Sequence, residues 1–330
     1  MSSGSAASNR ASVPSVRSRD PSAADAPADN VASLDLARQE FARKKYRVLL
    51  AHDLSGPSEI ALVRAARLAL ERDGHLTILH VVDSELPAPV IEARRARAKS
   101  CLESEVRRWL GRRKLPYRID IGVGDPASAI AARAQAHGVD LVVTGRHQRR
   151  VLANGFTTVG RLLRQVQRPI LVVGNSNQSP YQRVLIPIDF TDAAAAMIRS
   201  AAAFLPQARL HLLHASKRRL PDYVAATSLL SGQFQEREKV SGRVQQSRKQ
   251  ALSCFIETLR LGERRPMVTI ASGDALALVK QELALQKTDL LVLGTHARSG
   301  TGHASIGGVA DATLGSSRCD VLFLSLHGAS

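Results

Sequence analysis

The chain of 330 residues is 44% apolar but only 4% aromatic, so it is long enough for two domains with aliphatic cores. No apolar run approaches the ~20 residues that span a bilayer, and Cys101, Cys254 and Cys319 form no CxxC pair or Cys/His cluster, which predicts a soluble cytoplasmic protein without structural zinc or a disulfide framework. The net charge of +17 can indicate a nucleic-acid or membrane-surface partner, and solvated arginine-rich helix faces are the ordinary alternative.

Residues 1–42 are dominated by Ser, Ala, Pro and Asp and contain almost nothing to bury. Disorder is the expected state of a segment with this composition. We therefore predict that the folded part of the chain begins near residue 43.

Residues 43–176 alternate predicted strands with predicted helices. The first apolar strand ends at Asp53, a Ser suited to cap a helix follows, and the second strand passes through Val81. A long polar helix and a third strand then lead to a Gly-Asp pair that opens another helix. The strand "LVVTG" ends at Gly145, and a last helix and strand close the unit.

Residues 180–327 repeat this order. "YQRVLIPIDFT", which contains Pro187 and ends its strand at Asp189, answers "YRVLLAHDLS" of the first copy, and the later strand "LLVLG" ends at Gly294. Strands without apolar–polar alternation are buried on both faces, as in parallel sheets. Each copy is therefore predicted to be a Rossmann-like, doubly wound α/β domain with a five-stranded parallel sheet in the order 3-2-1-4-5. The two copies, joined almost without a linker, are expected to pack as a pseudo-dimer.

A glycine-rich loop follows the strand that ends at Gly294. In this strand order Asp189 and Gly294 lie at the carboxyl ends of neighbouring strands, where open α/β sheets bind ligands. The loop glycines let backbone N–H groups surround an anion, and Gly307-Gly308 precede a predicted helix that begins at Val309. The pattern indicates a nucleotide site. A flexible loop, with Asp189 serving only to cap the next helix, is the alternative.

Four segments carry a family resemblance: "VLIPIDFT", the Gly-Asp helix, "DLLVLGTHARSG" and "GGVADATLGSSRCDVLFL". Over about residues 44–326 the chain resembles the universal stress protein family in its tandem form. The resemblance implies a Rossmann-like fold, dimerisation through the last strand, and ATP binding, which many members achieve with a G-x2-G-x9-G-[ST] motif.

In the second copy, the resemblance implies that Gly294 and Gly307 are the first and third motif glycines. Ala297 stands in place of the second glycine and Gly308 in place of the Ser or Thr. The Arg298 side chain could screen phosphate charge, and Ala215 occupies the second-strand position that usually lies beside the adenine. The implied site comprises Pro187, Asp189, Ala215, Gly294, Ala297, Arg298, Gly300, Gly307, Gly308 and Val309.

The first copy departs further from the motif. Gly145 is kept, but Gln148 replaces the second glycine, and three arginines crowd the loop: Arg146, Arg149 and Arg150. No ordinary ATP site is expected there, and Asp53, Val81 and Gly145 are its weaker candidates. A remodelled anion site that uses the three arginines is the alternative.

No catalytic motif accompanies the candidate sites. The chain has no GxxxxGK[ST], GxSxG or HExxH sequence, so we expect at most a slow ATPase. The predicted function is a stress-response regulator that binds ATP or a related adenine nucleotide, with Mg²⁺, in the second domain. The alternative is a nucleotide-independent scaffold, with a second copy of the chain or another protein as partner. Nucleic-acid binding is disfavoured, because few aromatics lie near the basic cluster around Gly111.

Overall fold

The computed structural model describes residues 45–111, 113–146, 157–216, 252–295 and 319–325. Its first half comprises β1 (Arg47–Ala51), α1 (Gly56–Leu70), β2 (His75–Val82), α2 (Ala88–Leu110), β3 (Tyr117–Val123), α3 (Pro126–Ala136), β4 (Leu141–Gly145), α4 (Thr158–Gln165) and β5 (Ile170–Val173).

The second half repeats the alternation of strands and helices. It comprises β6 (Arg183–Ile188), α5 (Asp192–Phe204), β7 (Arg209–Ser216), α6 (residues 252–259), β8 (Met267–Ser272), α7 (Ala275–Leu285), β9 (Leu290–Thr295) and β10 (Asp320–Ser325). None of the described helices has both the length and the apolarity that a membrane span requires.

All ten strands form one sheet, in the order β3-β2-β1-β4-β5-β10-β9-β6-β7-β8. Pairing is parallel within each half and antiparallel only where β5 meets β10, with Leu171 opposite Leu322. The predicted α/β class is confirmed, and each half has the strand order 3-2-1-4-5. The two copies meet through their last strands, so the predicted pseudo-dimer is a continuous sheet.

Buried aliphatic side chains on both faces of this sheet form the core. Leu49 and Leu50 are fully buried in two different apolar clusters, because successive residues of a strand point to opposite faces. The uninterrupted apolar runs in the sequence therefore reflect helices packed on both sides of the sheet.

The Gly-Asp pairs begin matching helices, as the repeat predicts. Asp125 opens α3 and Asp274 opens α7, and each carboxylate accepts the N–H three residues further on, at 3.0 and 2.9 Å. These are N-caps, which satisfy donors that a helix start otherwise leaves unpaired. The two aspartates thus have a structural role.

The segment between the two halves is held by a buried arginine. The Arg64 guanidinium on α1, only 2% exposed, donates to the carbonyls of Ser179 and Asn177 at 2.7 and 2.5 Å. Its Nε lies 3.4 Å from Oδ2 of Asp320 on β10. One side chain of the first half therefore fixes both the connecting segment and the last strand of the second half.

Asp320, which is fully buried, completes this network. Its Oδ1 accepts the N–H groups of Gly174 and Asn175 at 2.9 and 2.8 Å, and its Oδ2 accepts the Tyr181 hydroxyl at 2.6 Å. The Tyr181 ring lies 4.3 Å below the Arg64 guanidinium. A buried charge needs such compensation, because desolvation otherwise costs several kcal/mol.

Candidate functional site

The carboxyl ends of β6 and β9 are neighbours in the second half. These strands pair only at Val184–Leu290 and Leu185–Leu291, whereas β1 and β4 of the first half pair over four positions, from Val48–Leu141 to Ala51–Thr144. Pro187 lies just beyond the last pair and has no N–H to donate to a neighbouring strand. The β6–β9 ladder therefore ends before Asp189 and Gly294, at the place where open α/β sheets bind ligands.

Asp189 is exposed at the end of β6. Its Oδ1 accepts the hydroxyl of Thr191 at 2.7 Å and the N–H of Thr191 at 3.4 Å. The Thr191 hydroxyl in turn accepts the Ala194 N–H at 3.1 Å and is the cap of α5. Asp189 therefore orients the capping residue and does not itself cap the helix.

Between Asp189 and Thr191 the chain turns through Phe190, whose φ of +59° is left-handed. Leu54, the matching residue after Asp53, has a φ of +65°. Non-glycine residues rarely adopt this conformation. Both copies keep the same bend after their first strand, so it belongs to the repeat itself.

An aromatic cluster lies beside Asp189. The rings of Phe190 and His214 stack with centroids 4.1 Å apart, and Phe255 of α6 meets Phe190 edge-on at 5.5 Å. His214 Nδ1 lies 3.0 Å from the Ile188 carbonyl oxygen. A carbonyl only accepts, so this nitrogen carries a proton and donates it to Ile188.

Sequence reasoning missed this aromatic cluster, although a histidine stands at the same place in both copies of the repeat. His80 occupies the same position of β2 as His214 does of β7, and its Nδ1 lies 2.8 Å from the carbonyl oxygen of His52. The repeat therefore keeps one histidine against the end of its first strand. Ala215, the predicted neighbour of the adenine, follows His214 and is half-buried opposite Ala271 of β8.

Gly294 is half-buried in β9, where it lies opposite Leu324 of β10. The other predicted residues of the glycine-rich loop lie outside the described residues: Ala297, Arg298, Gly300, Gly307, Gly308 and Val309. Pro187, Asp189, Ala215 and Gly294 are thus the part of the predicted site that the structure places, on three adjacent strands of one sheet.

In the first half the end of β4 packs against the start of α1. A Cβ on Gly145 would lie 2.6 Å from the backbone carbonyl of Pro57 and 2.8 Å from the N of Ser58. This glycine is kept because the start of α1 rests directly on it. Val81 is half-buried in β2.

Asp53 is occupied by its own chain. Its Oδ1 accepts the Ser55 N–H at 3.1 Å and the hydroxyls of Ser55 and Ser58 at 2.5 and 2.7 Å. Ser55 stands at the start of α1 but makes no side-chain cap bond, contrary to the expectation from the sequence. Its hydroxyl bonds Asp53 instead.

The start of α4 is also bonded within the chain. Thr157 caps this helix by accepting the Gly160 N–H at 3.1 Å. Arg161, in the first turn, donates two bonds of 2.6 Å to the carboxylate of Asp125. The bonds from Arg161 lower the pKa of Asp125 to about 2. One N–H group at this helix start and the Arg161 side chain are therefore already bonded within the chain.

Arg146, which the sequence places at the mouth of the first-half loop, contacts the second half of the chain. Its Nη2 donates to the Cys319 carbonyl of the second half at 2.6 Å, and its guanidinium packs against Gly174. Burial lowers the pKa of Arg146. This arginine therefore belongs to the contact between the halves, while Arg149 and Arg150 lie outside the described residues.

A histidine–carboxylate pair links the end of β1 to α2, with His52 buried and Glu105 partly exposed. His52 Nδ1 accepts the Leu54 N–H at 3.0 Å, so the proton is on Nε2, which lies 3.0 Å from Oε2 of Glu105 on α2. Burial and the nearby Glu59 raise the pKa of Glu105, while Arg108 lowers it. Sequence reasoning missed Glu105 because it lies on α2, far along the chain from His52 at the end of β1.

Known proteins fit this architecture. The sequence model of the universal stress protein family matches residues 45–174 and 180–325. A universal stress protein from Archaeoglobus fulgidus is 16% identical, with a TM-score of 0.60 over 85% of this chain and 98% of its own. A protein of unknown function from Pseudomonas aeruginosa is 20% identical, with a TM-score of 0.60 over 87% and 94%.

A third structure is a universal stress protein in complex with cAMP. It is 21% identical and covers 39% of this chain and 96% of its own, with a TM-score of 0.31. No curated protein sequence is significantly similar to this chain.

Proposed function

Because the chain belongs to the universal stress protein family, with one family domain in each half, we propose that the second half binds an adenine nucleotide where β6 and β9 end. The first half then serves as its fixed structural partner. We further propose that the protein acts in the cytoplasm as a nucleotide-responsive stress regulator, either as an assembly of pseudo-dimers or through another protein.

The early end of the β6–β9 ladder is the observation that carries this proposal. It leaves the strand ends before Asp189 and Gly294 without ladder pairing, while in the first half β1 and β4 pair over four positions and Gly145 packs on the start of α1. A ligand site needs both an opening and groups that face it.

Each residue has a proposed task. The exposed Asp189 carboxylate accepts a ribose hydroxyl or the adenine amino group, and Ala215 leaves space for the base beside the Phe190–His214 pair. Pro187 holds the strands apart. Gly294 lets the backbone approach the phosphates.

By sequence, the loop after β9 supplies the remaining contacts. The side chain of Arg298 and the N–H groups of Ala297, Gly300, Gly307, Gly308 and Val309 are proposed to bind the phosphates. Mg²⁺ would be held mainly by the phosphates, since among the described residues no three His, Cys, Asp or Glu side chains gather as metal ligands. The role proposed is binding, with turnover no faster than a slow ATPase.

The twin aspartates provide the test. Calorimetric titration of the full chain with ATP, ADP, AMP and cAMP, with and without Mg²⁺, should show binding that Asp189→Ala weakens at least about tenfold, the effect of one lost charge-assisted hydrogen bond. Asp53→Ala, the matched change in the first half, should leave the affinity unchanged.

Two results would overturn the proposal. One is an affinity no better than millimolar for every nucleotide, which favours the nucleotide-independent scaffold. The other is an equal loss from Asp53→Ala. A melting temperature that stays constant at nucleotide concentrations far above the supposed Kd would contradict binding independently, because a ligand of the native state must stabilise it.

A further inference from the structure

A cleft of about 400 Å³ lies between α2 and β3, at the outer edge of the first-half sheet. It is lined by Lys99, Glu103, Arg107, Tyr117, Arg118 and Ile119. These β3 residues belong to the amino-terminal part of the strand, so the cleft is at the opposite end of the first-half sheet from Asp53 and Gly145.

Positive charge dominates the lining. Lys99, Arg107 and Arg118 are exposed cations, and Glu103 is the one carboxylate among the lining residues. Tyr117 is 45% exposed and presents an aromatic ring between them. A concave site that combines cations with an exposed ring suits phosphate groups and a stacked base.

Further basic side chains lie beside the cleft. Arg118 Nη2 lies 2.7 Å from Asp120 Oδ2 and 2.5 Å from His137 Nε2, and Arg133 shares the same Asp120 oxygen at 3.1 Å. Arg47 Nη1 donates to the His137 carbonyl at 2.9 Å. A basic strip thus runs from α2 across β3 and the end of α3 to β1, and Asp120 supplies only one carboxylate to three of its basic groups.

The other half of the molecule keeps only part of this strip, because Arg260 and Arg183 match Arg107 and Arg47 while the remaining positions differ. Counting from the Gly-Asp pairs, the positions of Arg118, Arg133 and His137 are held by Met267, Glu282 and Gln286. Counting from the Ser-Cys pairs, Leu252 stands in place of Lys99. The first half is therefore the one that carries the complete basic strip.

Against the expectation from the sequence, we propose that this strip binds single-stranded nucleic acid, with backbone phosphates along the cations and a base stacked on Tyr117. The extended line of cations fits a polymer of phosphates better than a single small anion. The exposed Tyr117 ring in a cleft lined by cations fits an unpaired base, whereas a bilayer surface requires several protruding apolar groups. This site is independent of the nucleotide site proposed above.

Fluorescence anisotropy of the full chain with labelled single-stranded oligonucleotides of deoxythymidine and of uridine tests the proposal. The variant Lys99→Leu/Arg118→Met places at these two positions the residues that stand at the matching positions of the second half. It should weaken binding at least about tenfold and reduce the salt slope by about 1.4, since each phosphate contact contributes about 0.7 for single strands. Tyr117→Ser should weaken binding by a further factor of at least about five through lost stacking.

The matched control is Arg209→Met/Lys280→Leu, which removes the same charge from exposed positions of the second half. It should bind as the unchanged protein does, and melting curves of all variants show whether they are folded. Absence of binding at low salt, equal loss in the control, preference for a duplex of the same sequence, or binding to phosphatidylserine vesicles without binding to oligonucleotides would each overturn the proposal.

Discussion

Arg64 and Asp320 meet across the two halves of the chain, with Arg64 Nε 3.4 Å from Asp320 Oδ2 and both side chains buried. Neither residue lies in the candidate nucleotide site. Their partners are the connecting segment and Tyr181, so the pair fixes the orientation of the two domains. The continuous ten-stranded sheet depends on this orientation, because β5 and β10 pair over only three positions.

Removing one charge of this pair should be strongly destabilising. Asp320→Asn leaves the Arg64 cation buried without its counter-charge, and we expect the free energy of unfolding in urea to fall by about 3–5 kcal/mol. The double variant Arg64→Met/Asp320→Asn should lose less than the sum of the single losses, because the two residues are coupled.

The exposed pair Arg95–Glu92 is the control for this prediction. Its side chains are 43% and 70% exposed, so Glu92→Gln should change the free energy of unfolding by less than about 1 kcal/mol. Equal effects of Glu92→Gln and Asp320→Asn, or additive effects in the double variant, would contradict the assigned role of the buried pair.

Gly145→Ala should lower the free energy of unfolding, because Gly145 packs directly on the start of α1 in the first half. The added Cβ meets the Pro57 carbonyl at 2.6 Å, which is backbone and cannot rotate away. We expect a loss of about 1–3 kcal/mol in urea unfolding, the usual result of overpacking. Gly56→Ala, with nothing within 4 Å of its Cβ, should leave stability unchanged or slightly raised. A Gly145→Ala protein as stable as the original would contradict this packing.

The Asp125–Arg161 pair predicts a specific dependence on acid. The pKa of Asp125 falls from 3.8 to about 2 in the folded protein, mainly through bonds from Arg161. A lowered folded pKa gives stability that is present above pH ~4 and lost as the pH falls toward 2. The side chain of Asp125 is 39% exposed, so solvent screening makes the effect small.

Urea unfolding at several pH values between 4.5 and about 2 checks this prediction. The original chain should lose more stability in that window than Arg161→Gln or Asp125→Asn, because both variants lack the charged pair. Identical pH profiles for the three proteins would mean that the two bonds seen here contribute nothing to folding.

The fold followed from sequence patterns because apolar runs, Gly-Asp caps and the repeat are local signals. Asp189 and Gly294 could be brought together from the strand order alone. The contacts between the two halves could not be predicted from the sequence. Arg146 contacts Cys319 at a separation of 173 residues, and the direction of the Arg146 side chain depends on how the two domains pack. The His52–Glu105 pair was hidden for the same reason, since a strand end and a helix carry its two members.

Phe190→Leu should show whether the Phe190 ring contributes to nucleotide binding or only packs against its neighbours. Leucine is the residue at the matching left-handed position of the first half, so the backbone is preserved while the ring stacked on His214 is lost. The adenine is proposed to lie against this ring, and the loss of one aromatic contact of about 0.5–1.5 kcal/mol should raise the Kd for ATP roughly two- to twelvefold.

The reciprocal change, Leu54→Phe, is the control and should leave the Kd unchanged, because the proposed nucleotide site is in the second half. Calorimetric titrations of both variants, with melting temperatures recorded alongside, make the comparison. If Phe190→Leu alters only the melting temperature while Asp189→Ala still weakens binding, the ring only packs the core, and the base lies elsewhere than beside His214.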